Sequence, residues 1–314
     1  MPIWAYVKRV QEAPEIATTR TSSANGGNRI QLVMLGSSLI ATFVLAVCTW
    51  STTLSAQQAT PDSIPSYDTL TVTSRALGET RRINVHVPKS YAASANTRFP
   101  VLYMPDGGLD EDFPHVVNTV DSLIALGQIR PIIVVGIPNT ERRRDLTGPT
   151  RVAKDSAIAP HVGGSAAFRR FFREELIPVI DGRYQTTPER AIIGESLAGL
   201  FVVETFLRER RMFDHYVAFD PSLWWNHGAL VDSAPALLRT SLHPVRGRSA
   251  ARRSHPTIYF AGSRDDIDDE TRRLAAALRS IRGDYSWTYA ARQDLTHATI
   301  FRALAPAGIT RALR

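Results

Sequence analysis

A serine becomes a nucleophile only where the backbone exposes its hydroxyl and a neighbouring base takes its proton. In the stretch ERAIIGESLAGLFVVETFL, residues 189–207, Ser196 sits between Gly194 and Ala198, after a short apolar run and before a helix-forming one. Small residues on both sides of a serine let a strand and a helix pack closely around a strained turn, which is the physical content of a G-x-S-x-(G or A) spacing. The same spacing recurs in GGSAA at Gly163 and Ser165, but no strand precedes it there and a helix N-cap at Ser165 accounts for it. Ser196 is therefore the candidate nucleophile.

A serine hydroxyl is weakly nucleophilic near neutral pH, so an imidazole must accept its proton and a carboxylate must orient the imidazole. In a parallel sheet both come from loops at the carboxyl ends of later strands. Of eight histidines, His297 in ARQDLTHATIF is the one that follows the last strand and precedes the last helix. His215 begins a strand, while His227, His243 and His255 fall in helix or loop positions that imply no role. The acid is expected beyond the strand TIYFAG, at Asp265, with Asp266 and Asp220 as rivals; Asp220 ends the strand HYVAF on the same rim.

Negative charge developing on a substrate oxygen calls for fixed donors. The backbone N–H of Leu197 is one candidate, and Gly107 or Gly108 in MPDGGLDEDF supplies the second unless PDGG is merely a turn. Two further groups lie on rim loops. Arg142, Arg143 and Arg144 in TERRRDLTG either bind an anionic substrate or fix the loop, Arg144 through Asp145. Trp224 and Trp225 either wall an acyl or aryl pocket or pack.

The elements that must position these residues follow from periodicity. TLTVTS and TRRINVHV alternate on either side of RALGE, as an antiparallel pair does. FPVLYM, RPIIVVGI, AIIG, HYVAFD, TIYFAG and YSWTYA are dense buried-strand runs, separated by helical stretches that include EDFPHVVNTVDSLIALG and GGSAAFRRFFREELIPVI. This order predicts an α/β fold: one mostly parallel sheet with two leading antiparallel strands and helices on both faces.

The chain of 314 residues, 44% hydrophobic, is expected to hold one catalytic domain over residues 69–314, a short linker over 57–68 and an N-terminal export signal over 1–56. Lys8, Arg9, Arg20 and Arg29 precede the uncharged run Leu32–Trp50, and STTLSAQQ offers cleavage after Ala56. The product would be periplasmic or secreted; uncleaved, residues 32–50 would anchor it in a membrane. Cys48 is the single cysteine, so neither disulfides nor cysteine-bound metals hold the body together. The net charge of +7 falls to about +5 without the leader's four basic and two acidic residues, a mild excess; with the export signal and a basic cluster from Arg246 to Arg253 that has no interleaved aromatics, nucleic acid is not an expected partner. No histidine pair has metal-ligand spacing and no P-loop or G-x-G-x-x-G occurs, so no metal or cofactor is expected.

Taken together, LGETRRINVHVPKSY, FPVLYMPDGG, NTERRRDLTGPT, FFREELIPVIDGRY, IIGESLAGLFVVE, DPSLWWN and LTHATIF resemble the putative esterase family of α/β-hydrolases. That family includes S-formylglutathione hydrolases, feruloyl esterases, mycolyltransferases and enterobactin-type siderophore esterases; the likeness covers most of residues 69–312 and is nearest the siderophore-esterase branch. The resemblance implies Ser196 as nucleophile, His297 as base and PDGG at the oxyanion hole. It also marks a departure, since Asp220 stands where that branch commonly begins its PSLWW motif with serine. The expected activity is a serine carboxylic-ester hydrolase acting through an acyl-enzyme on a small-molecule ester, siderophore-like or of an aromatic acid. An acyltransferase using the same triad, and a binding protein on a hydrolase scaffold, are the alternatives.

Overall fold

The computed structural model describes residues 62–93, 96–239, 255–266 and 269–314. The export segment, Cys48 and the basic cluster from Arg246 to Arg253 lie outside the described residues.

Strands β1 (Asp68–Ser74) and β2 (Glu79–His86) form a hairpin closed through Gly78, whose φ of 70° suits glycine. Then come β3 (Phe99–Pro105), helix α1 (Phe113–Ala125), β4 (Ile133–Ile137), the short helices α2 (Arg142–Leu146) and α3 (Ala153–Ala157), and α4 (Ser165–Phe171). After α5 (Ile177–Arg183) the chain alternates through β5 (Thr186–Glu195), α6 (Ser196–Glu209), β6 (His215–Phe219), α7 (Trp225–Arg239), β7 (Thr257–Ser263), α8 (Glu270–Ser280), β8 (Ser286–Arg292) and α9 (His297–Leu313). The sheet order is β1-β2-β4-β3-β5-β6-β7-β8, with β2 antiparallel to β1 and β4 and every other neighbouring pair parallel.

Every residue of β3 is buried, because helices cover both faces of the sheet. Successive side chains enter opposite cores. Val101 and Tyr103 join Phe168, Phe171, Phe172, Phe201 and Phe206 on one face. Leu102 and Met104 join Phe113, Val116, Val117 and Val120 of α1 with Ile300, Phe301, Leu304 and Ile309 of α9 on the other. Truncating a fully buried ring such as Phe201 to alanine should cost about 3–5 kcal/mol. From β3 the chain runs to β4 on one side and then returns to β5 on the other. The carboxyl ends of β3 and β5 thus flank a topological switch point, where open α/β sheets place their ligands.

Three local features depart from the expected elements. Helix 163–180 is interrupted by a π turn at Phe172–Leu176. Pro178, which follows, has no N–H to continue the regular ladder, and a wider turn accommodates it. Gly164 rather than Ser165 occupies the cap position of α4, and Ser165 is buried as the first helical residue. Helices α2 and α3 are too short to show a period in the sequence.

Candidate active site

The residues that follow directly on β3, β5 and β6, namely Asp106, Ser196 and Asp220, have φ of 56°, 57° and 41°. Left-handed backbone at a non-glycine residue costs on the order of 1–3 kcal/mol and persists where the surroundings over-determine it. At the β5–α6 turn the determinant is steric. A Cβ on Gly194 would lie 2.7 Å from the Ala198 carbonyl carbon and 2.8 Å from its Cβ, so strand and helix meet too closely for a larger residue. Helix α6 begins at Ser196 with no side-chain cap, which leaves the first-turn N–H groups, that of Leu197 among them, without intrahelical acceptors.

His297 opens α9, where Thr296 and Thr299 form a capping box. Its Nδ1 lies 2.7 Å from Oδ2 of Asp220. Ser263, at the end of β7, donates its N–H to Oδ1 of Asp220 at 2.8 Å and its hydroxyl to Oδ2 at 2.8 Å. With Nδ1–H engaged, the imidazole presents Nε2 as its acceptor.

The carboxylate on the ring is therefore that of Asp220, and the expectation for Asp265 is corrected. Asp265 Oδ2 instead accepts the backbone N–H of His297 at 2.9 Å, while the Asp265 N–H donates to Ser263 Oγ at 3.0 Å. Position explains the exchange. Asp220 is the first residue past β6 and turns left-handed toward β7, whereas Asp265 lies two residues past β7, level with the first N–H of α9. The other rival, Asp266, accepts from the N–H and hydroxyl of Thr271 at 3.2 and 2.6 Å. Ser196 Oγ meets Ser222 Oγ at 3.3 Å rather than the imidazole.

The expected glycine donors are both engaged. Gly107 N–H donates to the Ile137 carbonyl at 3.1 Å, and Gly108 N–H to Oε2 of Glu111 at 2.7 Å. Gly107 is sterically required all the same, since a Cβ there would lie 2.3 Å from Ile137 N. The arginine run does not act as one patch. Arg142 forks onto Asp106, Nε to Oδ1 at 2.8 Å and Nη2 to Oδ2 at 2.6 Å, and so fastens the β3 end to the loop after β4. Arg144 binds Asp145 at 2.7 Å, Glu79 at 2.7 Å and Glu141 at 3.0 Å. Arg143 has no hydrogen-bond partner for its buried Nε among the described residues. Trp225 is buried and donates its indole N–H to the Gly148 carbonyl at 2.8 Å, which makes it a packing residue; Trp224 is half-buried beside it.

Burial acts to lower the pKa of His297, but the hydrogen bond to Asp220 and the charges of Glu195, Asp220 and Asp265 outweigh it and hold it above the ordinary histidine value. Burial likewise acts to raise Asp220, yet its bonds from His297 and Ser263 keep it below the usual carboxylate range, so it stays ionised. Glu195, next to Ser196, is pushed up to about 8 by burial, with Asp112, Asp220 and Asp106 adding to the rise and His297 opposing it. Burial and the charge of Asp106 bring Asp112 up to about 7. Sequence reasoning missed Ser222, Ser263 and Glu195. Their signal was proximity, for each lies inside or beside a strand-end motif already singled out.

A profile of the family described as "Putative esterase" matches residues 74–297. The ferri-bacillibactin esterase BesA of Bacillus subtilis (strain 168) is 30% identical over 184 residues, which are 52% of this chain and 61% of that protein. The siderophore triacetylfusarinine C esterase of Aspergillus fumigatus is 29% identical over 178 residues, 52% of this chain and 58% of the relative. The match thus spans less than two thirds of either relative's length. Among solved structures, an IroE-like serine hydrolase from Shewanella oneidensis superposes with a TM-score of 0.65 at 23% identity, covering 78% of this chain and 79% of that one. This likeness agrees with the α/β fold. The chain belongs to the putative esterase family.

Proposed function

We propose that the chain is a serine hydrolase of carboxylic esters that works through an acyl-enzyme. The observation that carries this reading is the ionised, buried Asp220 on Nδ1 of His297, at the same sheet edge as Ser196 on its left-handed turn. In the first half-reaction Ser196 Oγ bonds to the ester carbonyl carbon as its proton passes to Nε2 of His297. The imidazolium is steadied by Asp220, and the oxyanion takes the Leu197 N–H, reaching Gly108 N–H only by displacing Glu111. Collapse breaks the carbon–oxygen bond to the alcohol, which leaves with the proton from His297. Water then repeats the sequence, giving up a proton to His297 as it attacks, and releases the acid and Ser196.

For the substrate we infer an ester or lactone with a bulky acyl group of siderophore type, or of an aromatic acid. The siderophore esterases among the relatives support this, and of the arginines and tryptophans singled out in the sequence, Arg143 and the half-buried Trp224 are those whose side chains make no hydrogen bond among the described residues. The test joins a fluorophosphonate probe with a panel of a short aliphatic ester, a feruloyl ester and a triscatecholate trilactone. The probe should label Ser196, and Ser196→Ala should abolish labelling and lower turnover by roughly four orders of magnitude or more. Persisting activity in a folded Ser196→Ala protein refutes the mechanism. A preference for the short aliphatic ester refutes the substrate class alone.

A further inference from the structure

We infer that Ser222 is a further catalytic residue of this site, its hydroxyl donating a hydrogen bond to Ser196 Oγ and stabilising that oxygen whenever it carries negative charge. The inference rests on the reading of Ser196 as the nucleophile. Ser222 is 5% exposed, and its hydroxyl makes one hydrogen bond among the described residues, to Ser196 Oγ at 3.3 Å. A buried hydroxyl aimed at a single oxygen is costly to leave unpaired, so its geometry is informative.

The backbone fixes that aim. Ser222 N–H donates to the Ser196 carbonyl at 2.9 Å, which ties the β6 loop to the first turn of α6. The approach is close enough that a Cβ on Gly199 would lie 3.1 Å from both the Phe219 oxygen and Pro221 Cα. The loop Asp220–Pro221–Ser222 therefore serves two groups at once. Asp220 holds the ring of His297, and two residues on Ser222 holds the hydroxyl of Ser196.

The direction of the bond follows from the chemistry. Ser196 must give its own proton to Nε2 of His297, so in the reacting arrangement its oxygen is free to accept, and Ser222 is the neighbour able to donate. During acylation this bond stabilises the oxygen as it loses its proton. During deacylation Ser196 Oγ is the leaving group, and the same bond stabilises it until His297 returns the proton. No proton is transferred from Ser222 itself.

The experiment measures kcat, KM and the pH dependence of kcat/KM on p-nitrophenyl acetate for the wild type, Ser222→Ala, Ser222→Cys and Ser222→Thr. Each variant is checked for folding by thermal unfolding and for labelling by the fluorophosphonate probe. Ser222→Ala should lose about 10-fold to 100-fold in kcat, the worth of a hydrogen bond to a developing charge, with KM within about twofold. Ser222→Cys, nearer in volume but a weak donor, should lose a similar factor, and Ser222→Thr should regain most of it. The acid limb of the pH profile should stay in place, because the Asp220–His297 pair is untouched. A near-wild-type kcat in Ser222→Ala overturns the inference. So does an acid limb displaced to lower pH, which would show that the loop had slackened and released His297 from Asp220. A wild-type protein that the probe does not label and that cleaves no ester overturns the esterase reading, and this inference with it.

Discussion

Glu195 stands beside Ser196 as a half-buried carboxyl whose pKa is pushed up to about 8 from 4.5, first by its removal from water and then by Asp112, Asp220 and Asp106. A carboxyl with a folded-state pKa above its unfolded value binds its proton more tightly in the native state. Its effect on stability is therefore absent at low pH and grows as a penalty between 4.5 and about 8. Across that gap, at about 1.4 kcal/mol per pH unit, the full penalty is about 5 kcal/mol. It is about 0.2 kcal/mol at pH 4, about 3 kcal/mol at pH 7 and nearly complete at pH 9. Glu195→Gln keeps the shape and removes the ionisation, so it should stabilise the protein increasingly from pH 4 to pH 9. Urea unfolding of both proteins at pH 4, 7 and 9 reads the difference directly. A stability change that is equal at all three pH values, or a variant less stable than wild type at pH 9, would refute the electrostatic account. A carboxyl is thus kept next to Ser196 at the expense of stability, as strained or ill-solvated groups are at sites of function.

Three further outcomes follow from the same geometry. Asp220→Asn should lower kcat/KM by about 10⁴-fold, because the ring loses both its tautomer control and the charge that stabilises the imidazolium, while Asp265→Asn should cost no more than about 10-fold. The reverse ranking in steady-state assays would return the triad acid to Asp265. The acid limb of kcat/KM should have its midpoint above 6.5, since His297 must be neutral to accept a proton and its pKa is raised chiefly by the Asp220 bond against the opposing effect of burial; a midpoint at or below that value contradicts the assignment. Trp225→Phe should cost about 1–3 kcal/mol of stability by leaving the Gly148 carbonyl unpaired, with KM little changed. A large rise in KM at undiminished stability would instead put the indole against substrate.

What the sequence made legible, and what it hid, divides along a physical line. The turn at Ser196 could be read because its constraints are local: a strand run, a glycine two residues before, an alanine two residues after, and a helix. His297 could be read because its place after the last strand is a matter of order. The acid could not. Phe219 and Ala261 are partners in adjacent strands, so Asp220 and Asp265 emerge side by side on one rim, and periodicity cannot tell which carboxylate turns toward the ring. In the arginine run the local pair of Arg144 with Asp145 could be read, and the longer-range partners could not. Consecutive residues of a helix point about 100° apart, so Arg142, Arg143 and Arg144 face three directions, and the partners Asp106, just past β3, and Glu79, at the start of β2, lie far off in the chain. Trp225 finds its acceptor 77 residues away, a distance at which no local pattern speaks.

The exchange of positions between the two aspartates also explains how one histidine is held in two ways. The Asp220 carboxylate is satisfied by three hydrogen bonds, two from Ser263 and one from His297, so the charge it carries in a buried place is fully met and its orientation is fixed. Asp265 uses its own carboxylate on the backbone N–H of His297, at the start of α9, where the helix leaves that donor without an intrahelical partner. One aspartate thus sets the ring and the other sets the chain that carries it, while Ser263 touches both, through its hydroxyl to Asp220 and from the Asp265 N–H. Had the carboxylate on the ring come from the β7 loop, the same aspartate could not also have capped α9. Placing the ring's carboxylate at the end of β6 frees the β7 loop to hold the helix, and it puts that carboxylate two residues from Ser222, so that a single strained turn reaches both His297 and Ser196.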